Sequence, residues 1–145
     1  MKNKITLIFL AAAMLISLFA LTACAGNSGD TERKDTGLEL VPAQEIGDGR
    51  VTFRFEVTDD TGTVKAWIVN TDRSIVGDAL LDVGLISGDV SAMGLMVTEV
   101  NGLTADYMVN QSWWALYING EFAVTGVDAT DIEQGKVYAF IYTIG

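Results

Sequence analysis

Few side chains in this 145-residue chain combine a type and a spacing that could do chemistry. Asp59-Asp60 places two carboxylates side by side, the minimum for general acid–base work. Asp128, Asp131 and Glu133 offer oxygen donors suited to calcium. Lys65 and Lys136 could act as bases towards a serine, and Cys24 is the one thiol. Each candidate meets an objection. The chain has no His, so the usual general base, proton shuttle and imidazole ligand are missing. Asp59-Asp60 runs into Thr61-Gly62, the composition of a turn. The acidic trio lacks the spacing of a calcium loop, and no Ser-Lys or phosphate-binding glycine motif is present. One cysteine excludes an internal disulfide framework and a thiolate zinc cluster. With 9 Lys+Arg against 19 Asp+Glu, the formal charge of −10 opposes binding to nucleic acid. The expectation is a protein that is not an enzyme, with no catalytic residues, no metal site and no certain cofactor.

Cys24 gains meaning from what precedes it. Lys2 and Lys4 give a basic start, and residues 5–23 carry no charge and are mostly Leu, Ile, Ala, Phe and Met. Such a leader reads as a signal peptide or a membrane helix. Its ending, Leu21-Thr22-Ala23-Cys24, resembles the lipobox of bacterial lipoproteins. That resemblance implies cleavage before Cys24, lipidation of its thiol, and a bacterial chain anchored on the extracytoplasmic face of a cell membrane. The expected organisation is a signal peptide over 1–23, a lipidated Cys24 with a flexible tether over 24–49, and a folded domain over 50–145. The tether is polar, rich in charge, and holds the single Pro, Pro42. Leu38, Leu40 and Val41 could dock from it as an edge strand.

The remaining candidates are aromatic, and strands must position them. In Trp113-Trp114-Ala115-Leu116-Tyr117-Ile118, alternate residues share a face. Asn119-Gly120 between apolar runs predicts a two-residue hairpin turn, which sets Tyr117 opposite Phe122 and Ala115 opposite Val124. One face then carries Trp113, Tyr117 and Phe122, and the other Trp114, Leu116 and Ile118. Either both sets are core, or Trp113, Tyr117 and Phe122 form a ligand-binding platform for a flat ligand or a protein.

Upstream, residues 51–58 alternate apolar and polar, and residues 63–70 return as a second strand. Pairing Thr58 with Thr63 would set Val57 opposite Val64, Phe55 opposite Ala66, and Arg54 against Trp67. Ser74 is placed to cap a helix whose apolar face carries Ile75, Val76, Ala79, Leu80, Val83 and Ile86, with Gly84 or Gly88 ending it. Residues 93–100 and 136–144 read as further strands. The expected fold class is α+β: a small, mostly antiparallel sheet with one helix packed on it, β-grasp-like, in the order β-β-α-β-β-β-β.

Several of these segments together resemble the transcobalamin-like C-terminal domain, the second half of vitamin B12 carriers. They are the helix from Ser74 to Leu81, the strand ending in Asn101-Gly102, the string from Trp114 to Glu121, and Gly126 and Gln134-Gly135 before the last strand. Lys136 stands where the family often has an acidic residue. The resemblance implies a ligand-binding module with a corrinoid such as cobalamin as leading candidate, or a surface protein partner in its place. The carriers enclose B12 with a second, helical barrel that this chain lacks.

Overall fold

The computed structural model describes residues 40–145. Cys24, the leader and most of the tether lie outside them, and among the described residues no helix is long and apolar enough to cross a membrane. The described part is mostly β. Nine strands form two sheets: β1 (Ala43–Gly47), β2 (Val51–Thr58), β3 (Val64–Thr71), β4 (Ile86–Ser91), β5 (Gly94–Val100), β6 (Leu103–Thr104), β7 (Ser112–Ile118), β8 (Glu121–Phe122) and β9 (Val137–Ile144). Two short helices, α1 (Val76–Asp82) and α2 (Tyr107–Asn110), and a 3-10 turn (Val127–Ala129) connect them.

This overturns the expectation of one small, mostly antiparallel, β-grasp-like sheet under a single helix. The larger sheet has six strands in the order β1-β3-β2-β9-β7-β8, and β4-β5-β6 form a second sheet. The larger sheet is mixed, because β1 runs parallel to β3 and β2 runs parallel to β9. The physical reason lies in the segment after Asp82. Gly84 adopts φ 69 and stops α1 there, so Ile86 starts β4 instead of extending the helical face. Gly88 then supplies the bulge between Ser87 and Gly88, where a side chain would overlap the Met96 carbonyl. Ser74 does not cap α1; Ile75 holds that position without a side-chain bond, and Thr130 O accepts the Val76 N–H at 2.9 Å.

The first hairpin is slipped by one residue from the expected pairing. Asp59 N donates to Thr63 O, and Asp59 Oδ1 accepts from Thr61 N, Thr61 Oγ1 and Thr63 N. The loop is therefore longer, with Gly62 at φ 82, and Thr58 pairs with Val64 and Phe55 with Trp67. A one-residue slip exchanges the faces of a strand. It carries Trp67 into the core, 6.0 Å from the ring of Phe55.

The core lies between the larger sheet and a cover made of α1 and the second sheet. Phe53, Phe55, Val69, Trp114, Leu116, Tyr138 and Phe140 meet Val76, Leu80, Ile86 and Val100 there. The opposite face of the larger sheet holds the half-buried pair Arg54–Glu56 at 2.6 Å. Arg54 Nη2 also donates to Val41 O at 2.7 Å, which fixes the chain just before β1. Strand β1, at residues 43–47, falls in the stretch read as tether, a few residues beyond the apolar group that suggested an edge strand.

Candidate functional site

A cleft of about 770 Å³ lies between strands of the two sheets. Ser112 to Leu116 of β7 form one wall and Leu95 to Thr98 of β5 the other, with α2 and residues 122–127 at the mouth. Runs of consecutive strand residues mark these walls as strand edges as well as faces, since one face alone would show alternate residues.

The backbone geometry of β7 bears this out. Gly145 N donates to Gln111 O and Asn119 N to Val137 O. Backbone groups alternate in antiparallel pairing, so Trp113, Ala115 and Tyr117 bond to β9. Ser112, Trp114 and Leu116 turn theirs to the other edge. Strand β8 covers that edge only opposite Tyr117 and Ile118, and Ala123 N then donates to Leu116 O at 2.9 Å. Beyond this point the Trp114 N–H and C=O have no partner among the described residues.

Trp114 is also the one described residue with a buried, unpartnered side-chain polar atom, its indole Nε1. The side chain is 7% exposed and meets Tyr142 edge-on at 5.3 Å. An orphaned donor in such a place costs about 1–3 kcal/mol until something accepts it. The cleft mouth is apolar: Met96, Tyr107, Met108 and Phe122 are all exposed around it. Asp106 shapes this rim by capping α2, its Oδ1 accepting from Met108 N and Val109 N. The charged residues of the lining, Asp89 and Asp106, are both acidic.

The three aromatic residues expected to form a platform share one face of the larger sheet, and Trp113 and Phe122 are exposed there. Tyr117 and Phe122 do pair across the hairpin, edge-on at 5.7 Å. Trp113 leans instead towards Tyr107, at 6.2 Å. Trp113 and Phe122 line the cleft and Tyr117 does not. Ala115 has no strand partner at Val124, because β8 ends at Phe122. The cleft residues Trp114, Leu95, Val97 and Met108 were not among the ligand-binding residues expected from sequence.

The candidate chemical groups serve the fold. The Thr61 hydroxyl, with the amides of Thr63 and Thr61, holds the Asp59 carboxyl below the usual carboxylate range. Asp128 Oδ2 accepts the Leu95 N–H at 2.9 Å and ties β5 to the 3-10 turn. Glu133 pairs with Lys136 at 2.5 Å, raising the lysine above its ordinary range. Among the described residues no group of three or more His, Cys, Asp or Glu could hold a metal ion.

Comparison with known proteins adds a domain and a fold. Residues 74–143 match the family model described as Domain of unknown function (DUF4430). Seventeen chains of solved structures match as well. One is described as a putative metal binding protein from Ruminococcus gnavus, 26% identical, covering 66% of this chain and 99% of that one, with a TM-score of 0.63. Another is haptocorrin in complex with Cbi, 16% identical, covering 65% of this chain and 25% of that one, with a TM-score of 0.53. The transcobalamin-like fold is thus shared, and this chain corresponds to a quarter of the haptocorrin chain. None of the curated proteins matches the sequence.

Proposed function

We propose that this chain is a non-catalytic ligand-binding module, anchored through lipid on Cys24 to the extracytoplasmic face of a bacterial membrane, with its ligand in the β5–β7 cleft. The observation that carries the binding reading is Trp114, a buried indole N–H without an acceptor on the wall of an apolar cleft. Apolar walls with a few convergent polar groups are the usual make-up of a ligand site. The missing histidine and the structural employment of Asp59, Asp128 and Glu133 support a role without catalysis.

A corrinoid is the leading small-molecule candidate, supported by the likeness to a solved haptocorrin complex. This domain would supply one wall against it, since the likeness covers 25% of that chain. Titration calorimetry and tryptophan quenching of the full chain in mild detergent, with cobalamin and cobinamide, test this. Silence in both measurements with both ligands would refute the corrinoid. Lipid labelling that persists in Cys24→Ala would refute the anchor. A second occupant, a surface protein, is favoured by the exposed apolar rim at Tyr107, Met108 and Phe122.

A further inference from the structure

The free edge of β7 distinguishes between these occupants. We infer that the cleft receives an extended polypeptide, apolar in alternate residues and basic at its ends, which adds a strand to β7 beyond Ala123. This rests on the cleft being the binding site and develops the second of its two occupants.

Three observations converge. First, Trp114 turns both backbone groups towards the cleft without a partner among the described residues, and Leu116 O is engaged only by Ala123 N. An unpaired strand edge is a template for another strand. The open stretch is centred on Trp114, because Ser112 N–H already donates to Asn110 Oδ1 at 3.2 Å and Leu116 O accepts from Ala123 N. An added strand would pair there through one residue, with its neighbours at ~3.3 Å spacing on either side. Second, the opposite wall at Leu95 and Val97 and the mouth at Met108 and Phe122 are apolar. Side chains that alternate off the added strand would find apolar surface there. Third, Asp89 and Asp106 line the cleft and Asp128 stands beside Leu95, while no Lys or Arg is part of the lining. On a chain of formal charge −10, this favours a partner with basic residues.

The probe is an acetylated, amidated heptapeptide, Lys-Val-Thr-Val-Thr-Val-Lys, titrated into the full chain in mild detergent. Two twins carry N-methyl groups on alternate residues, one set on the even positions and one on the odd. N-methylation removes a backbone donor and leaves the side chains alone. Strand addition predicts that one twin binds within about threefold of the parent and the other at least about tenfold more weakly, because only every second amide pairs with β7. It also predicts slowed hydrogen exchange at the Trp114 amide. Replacing Asp89 and Asp106 together by Asn, which keeps a capping side chain at 106, should weaken the Lys-ended peptide severalfold and leave a Gln-ended twin unchanged. Equal binding of the two methylated twins overturns the proposal. So does failure of the parent to bind at about 1 mM. A corrinoid that shifts the Trp114 resonances when the peptide does not bind would overturn the peptide and leave the cleft standing. A peptide that binds without touching Trp114 would overturn strand addition to β7.

Discussion

Trp114→Phe separates a waiting donor from ordinary core packing. The substitution keeps an aromatic ring against Tyr142 and removes both the indole N–H and one ring of buried surface. Loss of that buried surface costs about 1–2 kcal/mol. Removing a buried donor without an acceptor returns about 1–3 kcal/mol. The net change in the free protein therefore spans about 1 kcal/mol of destabilisation to about 2 kcal/mol of stabilisation. Trp67→Phe provides the control. Trp67 is equally buried, at 7% exposure, but its indole nitrogen is not among the buried unpartnered atoms. That variant takes the loss of about 1–2 kcal/mol without the return. Urea unfolding followed by far-ultraviolet circular dichroism, at unchanged slope, should place Trp114→Phe about 1–3 kcal/mol above Trp67→Phe. Ligand binding should move the opposite way, falling roughly fivefold or more in Trp114→Phe if the ligand accepts from the indole. Equal destabilisation by the two substitutions would refute the reasoning, because it would mean that the Trp114 N–H already has an acceptor in solution.

Other consequences are as direct. Arg54→Met removes the ion pair with Glu56 and the bond to Val41 O. It should cost about 1–3 kcal/mol in urea unfolding and speed hydrogen exchange over residues 43–47. Gly94→Ala places a Cβ 2.5 Å from Asp128 Oδ2 at φ 106, so it should destabilise by more than 1 kcal/mol and loosen the Leu95 amide in exchange. Asp59 has a folded pKa below its ordinary 3.8. Its contribution is therefore present above pH 3.8 and is lost as the pH falls towards the folded value. Asp59→Ala should flatten that part of the stability–pH curve, and an unchanged slope would count against the turn geometry.

The sequence was most legible where a local signal dictated the structure. Strict alternation gave β2, and Asn119-Gly120 gave the turn that pairs Tyr117 with Phe122. It was least legible where tertiary context chose. The slip of β2 against β3 depends on Asp59 folding its carboxylate over Thr61 and Thr63, a side-chain decision within a turn of ordinary composition. Strand β4 has no clean alternation, because Gly88 interrupts it with a bulge, and Ile86 fits a helical spacing as well as a strand. Missing β4 concealed the second sheet, and with it which face of β7 meets a cleft. The face carrying Trp113 is indeed the more exposed one and Trp114 is core, the two residues being 37% and 7% exposed. What the sequence did not show is that Trp114 also lines a cleft.

The parallel pairing of β2 with β9 has a consequence in time. The two strands begin more than 80 residues apart in the chain, yet β9 lies between β2 and β7 in the sheet. Until β9 has been synthesised, β2–β3 and β7 have no edge in common, and Phe55 and Leu116 lack the ring of Phe140 between them. Loop closure over such a separation precedes any gain from contact, so folding should be slow and late rather than progressive. A ribosome that stalls before residue 137 would release a chain with its central seam open.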